Sequence, residues 1–367
     1  MADPRADAEA RSRDARAGLT TTVLAVFDGH NDVLTRDDHS GFVEGRPEGH
    51  LDLPRMRSGG MRGGIFALFT DTPGYSMDPV ARDDGVVEFE LAPPLAHDVA
   101  AAGATAGAGR LWALERAGHV RVARGVGDLD AAHADPSSPP VAVLHLEGAE
   151  AIDPGLETLE LWHAAGLRSL GPVWSRLNDF AHGVPFISPS SPDTGPGLTA
   201  AGSALVRRCA DLGIVVDLSH LNERGFWDVA RLDAGPLVAS HSGAHALCPT
   251  SRNLTDEQLD AVGASGGLVG VVFACPFLRA DMADDADTPV ELIADHARHV
   301  ADRIGVDHVA LGSDFDGATL PREMGGVAGL PMLLSALTRT GFTGDDLAAV
   351  AWDNWRRVLG DWWGPDT

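Results

Sequence analysis

Five short segments place a carboxylate or an imidazole at the end of an apolar run. Phe27-Asp28-Gly29-His30-Asn31-Asp32 closes the first run and Leu144-His145-Leu146-Glu147-Gly148 the third. Val216-Asp217-Leu218-Ser219-His220, Ala239-Ser240-His241-Ser242 and Gly312-Ser313-Asp314-Phe315-Asp316-Gly317 close the fifth, sixth and eighth. His30 and Asp32 stand two residues apart, so on an extended chain they share a face. Singly, each segment has a bland reading: a turn capped by Asp32, a salt-bridged acid at Glu147, core histidines at 220 and 241, a helix cap at Asp314. Jointly the bland readings fail. Buried acids and imidazoles without a counter-charge would be severely destabilising, and a divalent cation supplies the compensation.

Imidazole nitrogen and carboxylate oxygen, without thiolate, suit Zn²⁺ ahead of Mn²⁺ or Fe²⁺. One catalytic zinc needs three protein ligands plus water, fewer than are present here. Two ions about 3.5–4 Å apart use the set better. A metal pair needs a bridging anion, and the 367 residues include no lysine that could be carbamylated. Glu147 is then the candidate bridge, with His30 and Asp32 on the first ion and His220 and His241 on the second. Such a pair would acidify a shared water to hydroxide near neutral pH and direct it at a polarised carbonyl. Asp314 is placed as general base toward that water and proton donor to the leaving amine. Asp316 competes for the role, and local order does not separate the two. Arg252, in the polar turn Thr250-Ser251-Arg252-Asn253, reads either as a clamp for a substrate carboxylate or as a surface arginine capping that turn.

These side chains meet only if the fold gathers strand ends. Eight runs rich in Val, Ile, Leu, Ala and Phe recur, at residues 22–28, 64–69, 141–146, 167–173, 214–218, 237–240, 267–273 and 308–312. Near-continuous apolar character is that of parallel strands buried on both faces. Helical patterns at 155–165, 199–212, 223–231, 255–264, 289–304 and 330–339 separate most of them, and Thr255 with Gln258 forms a capping box. The alternation predicts an α/β fold, a (β/α)8 TIM-type barrel whose strand C-termini converge on one face. The rival, an open doubly wound sheet, would carry a glycine-rich phosphate loop where Asp28-Gly-His-Asn-Asp32 stands. Long loops at 175–196 and 278–288 would lie on the same face as the strand ends. Residues 82–135 read as one or two helices with some loop. Residues 1–19 read as a flexible arm, and 20–367 as a single barrel domain.

The net charge of −25, from 28 basic against 53 acidic residues, argues against nucleic acid and anionic membrane surfaces as partners. No apolar run approaches the ~18 residues of a membrane span. The polar N-terminus lacks the apolar core of an export signal. Three cysteines without CxxC spacing point to a reducing, cytoplasmic location. The missing lysine also excludes Schiff-base chemistry, a P-loop and a Ser-Lys dyad.

In this order, and together with Ser251-Arg252-Asn253, the segments resemble the renal (membrane) dipeptidases of the amidohydrolase superfamily, especially their soluble bacterial members. The resemblance spans Phe27 to about Leu359. It implies a (β/α)8 barrel with two Zn²⁺ bridged by Glu147, often as a homodimer. It also implies hydrolysis of dipeptides with free ends, in some members with a C-terminal D-residue. By matching position, His30 and Asp32 bind one zinc and His220 and His241 the other. Arg252 grips the substrate carboxylate, and Asp314, rather than Asp316, shuttles the proton. The animal enzymes carry a substrate-contacting histidine just after the fourth strand. Here Trp174 stands there, with His182 further along. The alternative within the same chemistry is a binuclear metal amidohydrolase acting on another small amide, a lactam or an N-acyl amino acid. A metal-stabilised binding protein without turnover would not need Asp314.

Overall fold

The protein is described from a computed structural model over residues 24–81, 85–89 and 91–365. The arm expected at 1–19 and the start of the first predicted strand lie outside those residues. Eight parallel strands fall within or beside the eight predicted runs: β1 Val26–Asn31, β2 Met61–Leu68, β3 Val141–Glu147, β4 Leu167–Gly171, β5 Val215–Val216, β6 Val238–Ser242, β7 Leu268–Val271 and β8 Val309–Leu311. Every residue of β1, β3, β6 and β7 is buried. That is why the runs show no polar alternation.

The strands form two arcs, β1-β2-β3-β4-β5 and β6-β7-β8. Two seams join them into the TIM-type barrel. Asp217 bridges Val238 in parallel, and Leu218 N donates to the Val238 carbonyl at 2.8 Å. Asn31 bridges Phe315, with Asp32 N donating to Phe315 O at 2.8 Å and Asp314 N to His30 O at 3.0 Å. Both seams are therefore made by segments that also carry candidate site residues. Close backbone approach tightens the second arc. A Cβ at Gly270 or Gly312 would sit 1.9 Å from the Ser240 carbonyl oxygen, so β7 and β8 press on β6 only because those positions lack side chains.

The predicted helices appear as Glu157–Ala164, Ala200–Leu212, Glu223–Leu232, Asp256–Ala264, Glu291–Ile304 and Leu330–Arg339. The Thr255–Gln258 capping box is present in both directions. Helices His97–Arg116 and Val126–Ala134 fill most of the hard-to-read stretch. Among the features not read from sequence, two bear on the barrel and its cavity. Helix Asn354–Trp363 brings Trp355 against Phe27 at 5.8 Å, its indole N–H bonded to the Leu311 carbonyl at 3.0 Å. A small antiparallel sheet of Val80–Ala81, Val87–Phe89 and Phe186–Ser188 sets Phe89 and Phe186 into the cavity above the barrel. Its third strand lies inside the predicted loop 175–196. Among the described residues no helix is long and apolar enough to cross a membrane.

Candidate active site

At the C-terminal ends of the strands the chain encloses a cavity of about 850 Å³. On its floor the fold gathers Asp32, Glu147, His220, His241 and Asp314, with His30 packed behind them; all are buried except Asp314, which is partly so. His30 Nε2 lies 3.5 Å from Asp32 Oδ2 and 3.6 Å from Glu147 Oε2. The other Glu147 oxygen, Oε1, lies 3.1 Å from His220 Nε2 and 3.7 Å from His241 Nε2. Those two Nε2 atoms are 3.1 Å apart. The His30 ring stacks on His241 with centroids 3.9 Å apart. One carboxylate thus divides its two oxygens between two groups of donors.

Asp314 belongs with His30 and Asp32: one donor atom from each falls within 4.8 Å of the others. Its backbone is left-handed, φ 63°. The Asp314 N–H bond to His30 O and the Gly317 N–H bond to Asp314 O hold that turn. Gly317 is required where the carboxylates converge, since a Cβ there would lie 2.1 Å from Asp32 Oδ2 and 2.4 Å from Asp314 Oδ1. Asp316 is engaged elsewhere. Its Oδ1 accepts from His50 N at 2.6 Å, and Arg46 Nη1 and Arg36 Nη1 stand 3.6 and 3.8 Å from its oxygens.

The electrostatics are those of a cluster short of positive charge. Burial, and then the Asp32 charge, push Asp314 up to about 7. Burial and the Glu147 charge raise Asp32. Burial holds His220 down at about 4, and with the His30 charge holds His241 well below its usual range, so both rings are neutral. A neutral imidazole is the form that binds metal. His30 Nδ1 and Nε2 and Asp32 Oδ1 are buried without a hydrogen-bond partner. Orphaned donors, facing Nε2 atoms and three converging carboxylates fit divalent cations in N/O coordination.

Arg252 is 3% exposed, so the surface reading of this residue does not hold. Its Nη1 donates to Ser242 Oγ at 2.7 Å and its Nη2 to His241 O at 2.8 Å, with Nη2 3.3 Å from His220 Nε2. Its Nε is buried and unpartnered. The guanidinium packs 5.6 Å over Phe277, a cavity wall, and does not itself line the cavity. Trp174 does line it, 5.8 Å from the His220 ring, whereas His182 does not. Arg176 braces Trp174 from behind, 5.1 Å over its ring, and is paired with Glu150 at 3.3 Å.

Asp28, His145 and Asp217 stand within the same motifs, but their types and spacing alone give them no part in the site. Asp28 lies beneath it, accepting from Ser313 N at 2.8 Å and Ser313 Oγ at 2.9 Å. Asp217 accepts from Ser219 and Ser240. His145 Nδ1 meets Ser169 Oγ at 2.9 Å. The signal for Asp28 and His145 was the period of two along the strand, which sets them one layer below His30 and Glu147; Asp217, three residues before His220, carried no such signal.

Residues 15–362 match the family model described as membrane dipeptidase, peptidase family M19. The chain belongs to that family. It is a metallo-dipeptidase of the M19 type, and its barrel is the M19 barrel. A crystal structure of an M19 metallopeptidase dipeptidase shares 45% identity and superposes with a TM-score of 0.87, covering 94% of this chain and 100% of that one. A metallopeptidase from Rhodobacter sphaeroides, crystallised with a phosphinate mimic of the dipeptide L-Ala-D-Ala, also shares 45% identity, with a TM-score of 0.88 over 93% of this chain and 100% of its own. An uncharacterised protein of Klebsiella pneumoniae is 49% identical over 67% of this chain and 90% of its own.

Proposed function

We propose that this M19 enzyme is a binuclear zinc dipeptidase acting on free dipeptides, including those with a C-terminal D-residue. The observation that carries the reading is the division of Glu147. Oε2 faces His30, while Oε1 faces His220 and His241. In this assignment His30 and Asp32 would hold one ion and His220 and His241 the other, with Glu147 shared between them. The ions, when bound, supply Lewis acidity and a water acidified toward neutral pH. Nitrogen and oxygen donors without a cysteine in the cluster favour Zn²⁺. The phosphinate dipeptide mimic in the Rhodobacter sphaeroides relative supports the substrate class.

The chain's own groups do the rest. Asp314 takes a proton at its carboxylate and returns it to the departing amine. Its environment, partly buried and beside Asp32, keeps its proton affinity near the operating range. Arg252, with an unpaired buried Nε, holds the substrate's α-carboxylate. Phe186, Phe277 and Trp174 exclude water and receive side chains. The three described cysteines are buried and unpaired, which suits a cytoplasmic enzyme.

The test is metal analysis with a panel of L,L and L,D dipeptides, with and without chelator. Two zinc ions per chain, with dipeptide hydrolysis lost on chelation and restored by zinc, is the expected result. Two ions with no dipeptide cleaved, but an N-acyl amino acid or lactam opened, would move the assignment to the wider amidohydrolase chemistry.

Arg252→Ala should raise KM for dipeptides by roughly 10- to 150-fold, the equivalent of the ~1.5–3 kcal/mol of a hydrogen bond to a charged group. For dipeptide amides, which lack the carboxylate, wild type and variant should agree. An unchanged KM in steady-state kinetics would leave Arg252 as a brace for His241 only.

A further inference from the structure

We propose that Ser240, with Asp217 behind it, and Ser175 are positioning residues for the second metal ion: the first fixes which ring nitrogen His241 presents, and the second orients the His220 ring toward the same place. The inference rests on the binuclear reading above.

A neutral imidazole has one N–H and one lone pair, and only the nitrogen with the lone pair can bind a cation. Something must hold the proton on the far nitrogen. For His241 that group is on the page. Its Nδ1 lies 2.8 Å from Ser240 Oγ. Ser240 Oγ donates its own proton to Asp217 Oδ2. A hydroxyl whose proton is committed offers only lone pairs to a second neighbour. His241 Nδ1 must then be the donor, which leaves Nε2 free toward Glu147.

Asp217 is built to be an acceptor. Its Oδ1 also receives Ser240 N at 2.8 Å, Ser219 Oγ at 2.8 Å and Ser219 N at 3.1 Å. Ser219 Oγ in turn accepts from His241 N at 3.0 Å, so the same carboxylate orients both ring and backbone of His241. All of these residues are buried, and Ser219 and Ser240 sit on opposite sides of the β5–β6 seam.

His220 also meets a hydroxyl at Nδ1, from a different element. Its Nδ1 lies 3.0 Å from Ser175 Oγ, on the buried loop after β4. Both rings are thereby turned so that their Nε2 atoms meet at Glu147 Oε1. His30 differs. Its Nδ1 has no hydrogen-bond partner among the described residues. The hydroxyl brace serves one metal position and not the other, and that asymmetry separates a positioning role from a merely structural one.

The experiment compares zinc affinity by chelator competition in wild type, Ser240→Ala, Ser175→Ala and Ser240→Thr, with melting of each metal-free protein alongside. Loss of a second layer of this kind typically costs about 10- to 100-fold in metal affinity. Each alanine variant should release one of two ions at about 10- to 100-fold lower chelator activity and keep the other as wild type does. The double alanine variant should weaken that same single ion. Ser240→Thr, which retains a hydroxyl, should restore it. Unchanged affinity for both ions in both alanine variants overturns the inference, as does equal weakening of both ions. If Ser240→Ala does not fold, Ser175→Ala, on a loop, decides alone. A wild-type protein that holds fewer than two ions overturns the binuclear reading, and this inference with it. Two ions in wild type with unaffected variants overturns only the inference.

Discussion

Asp314→Asn is expected to lower kcat by about 10²–10⁴-fold, the usual contribution of a positioned general acid–base, while both ions stay bound. The substitution is close to isosteric. Asparagine also tolerates the left-handed backbone that Asp314 adopts at φ 63°, so the turn survives. The bonds that fix the turn, Asp314 N to His30 O and Gly317 N to Asp314 O, involve main chain only and are untouched. What disappears is a carboxylate that can accept a proton beside His30 and Asp32. KM should move little, because Asp314 acts on the reacting atoms rather than on the substrate's ends. Metal analysis of the purified variant beside its kinetics gives the answer. Loss of an ion with the activity would make Asp314 chiefly a ligand.

The contrast with Asp316 shows what a sequence carries and what it does not. Both aspartates stand in one six-residue segment, both adopt positive φ, and both border the cavity. Only the fold reveals that Asp316 is engaged by His50, Arg46 and Arg36, residues some 270 positions earlier. The barrel itself was readable because a strand buried on both faces must be apolar throughout. The donors were readable because strand ends converge. The hydroxyl layer was not, since serine is common and its partner lies on another segment of the chain: Ser240 to Asp217, Ser175 to His220. Arg252 was ambiguous for a related reason. An arginine in a polar turn looks exposed until Phe277 and the His241 carbonyl close over it. Helix Asn354–Trp363 was missed although it is no shorter than several predicted helices, and its role, sealing Trp355 against Phe27, depends on a strand more than 300 residues away.

Glu147→Gln tests the centre of the proposal and should act differently from Asp314→Asn. Glutamine keeps the volume and one oxygen but replaces the other oxygen with an amide nitrogen, a donor that cannot coordinate a cation. Whichever way the amide turns, it faces either His30 or the His220–His241 pair with the wrong group. Removing one partner of a buried charge cluster typically costs about 3–5 kcal/mol, which converts to roughly 10²–10⁴ in affinity for the ion left short of a ligand. The variant should therefore retain at most one tightly held zinc, show no more dipeptide hydrolysis than chelated wild type, and gain less thermal stability from added zinc, because stabilisation by a ligand follows its affinity. Titration calorimetry with zinc, read beside melting curves and a dipeptide assay, measures all of this on the intact chain. If Glu147→Gln binds two ions tightly and still turns over dipeptides, the ions are not joined through this residue, and the division of its oxygens between two donor groups has no catalytic meaning.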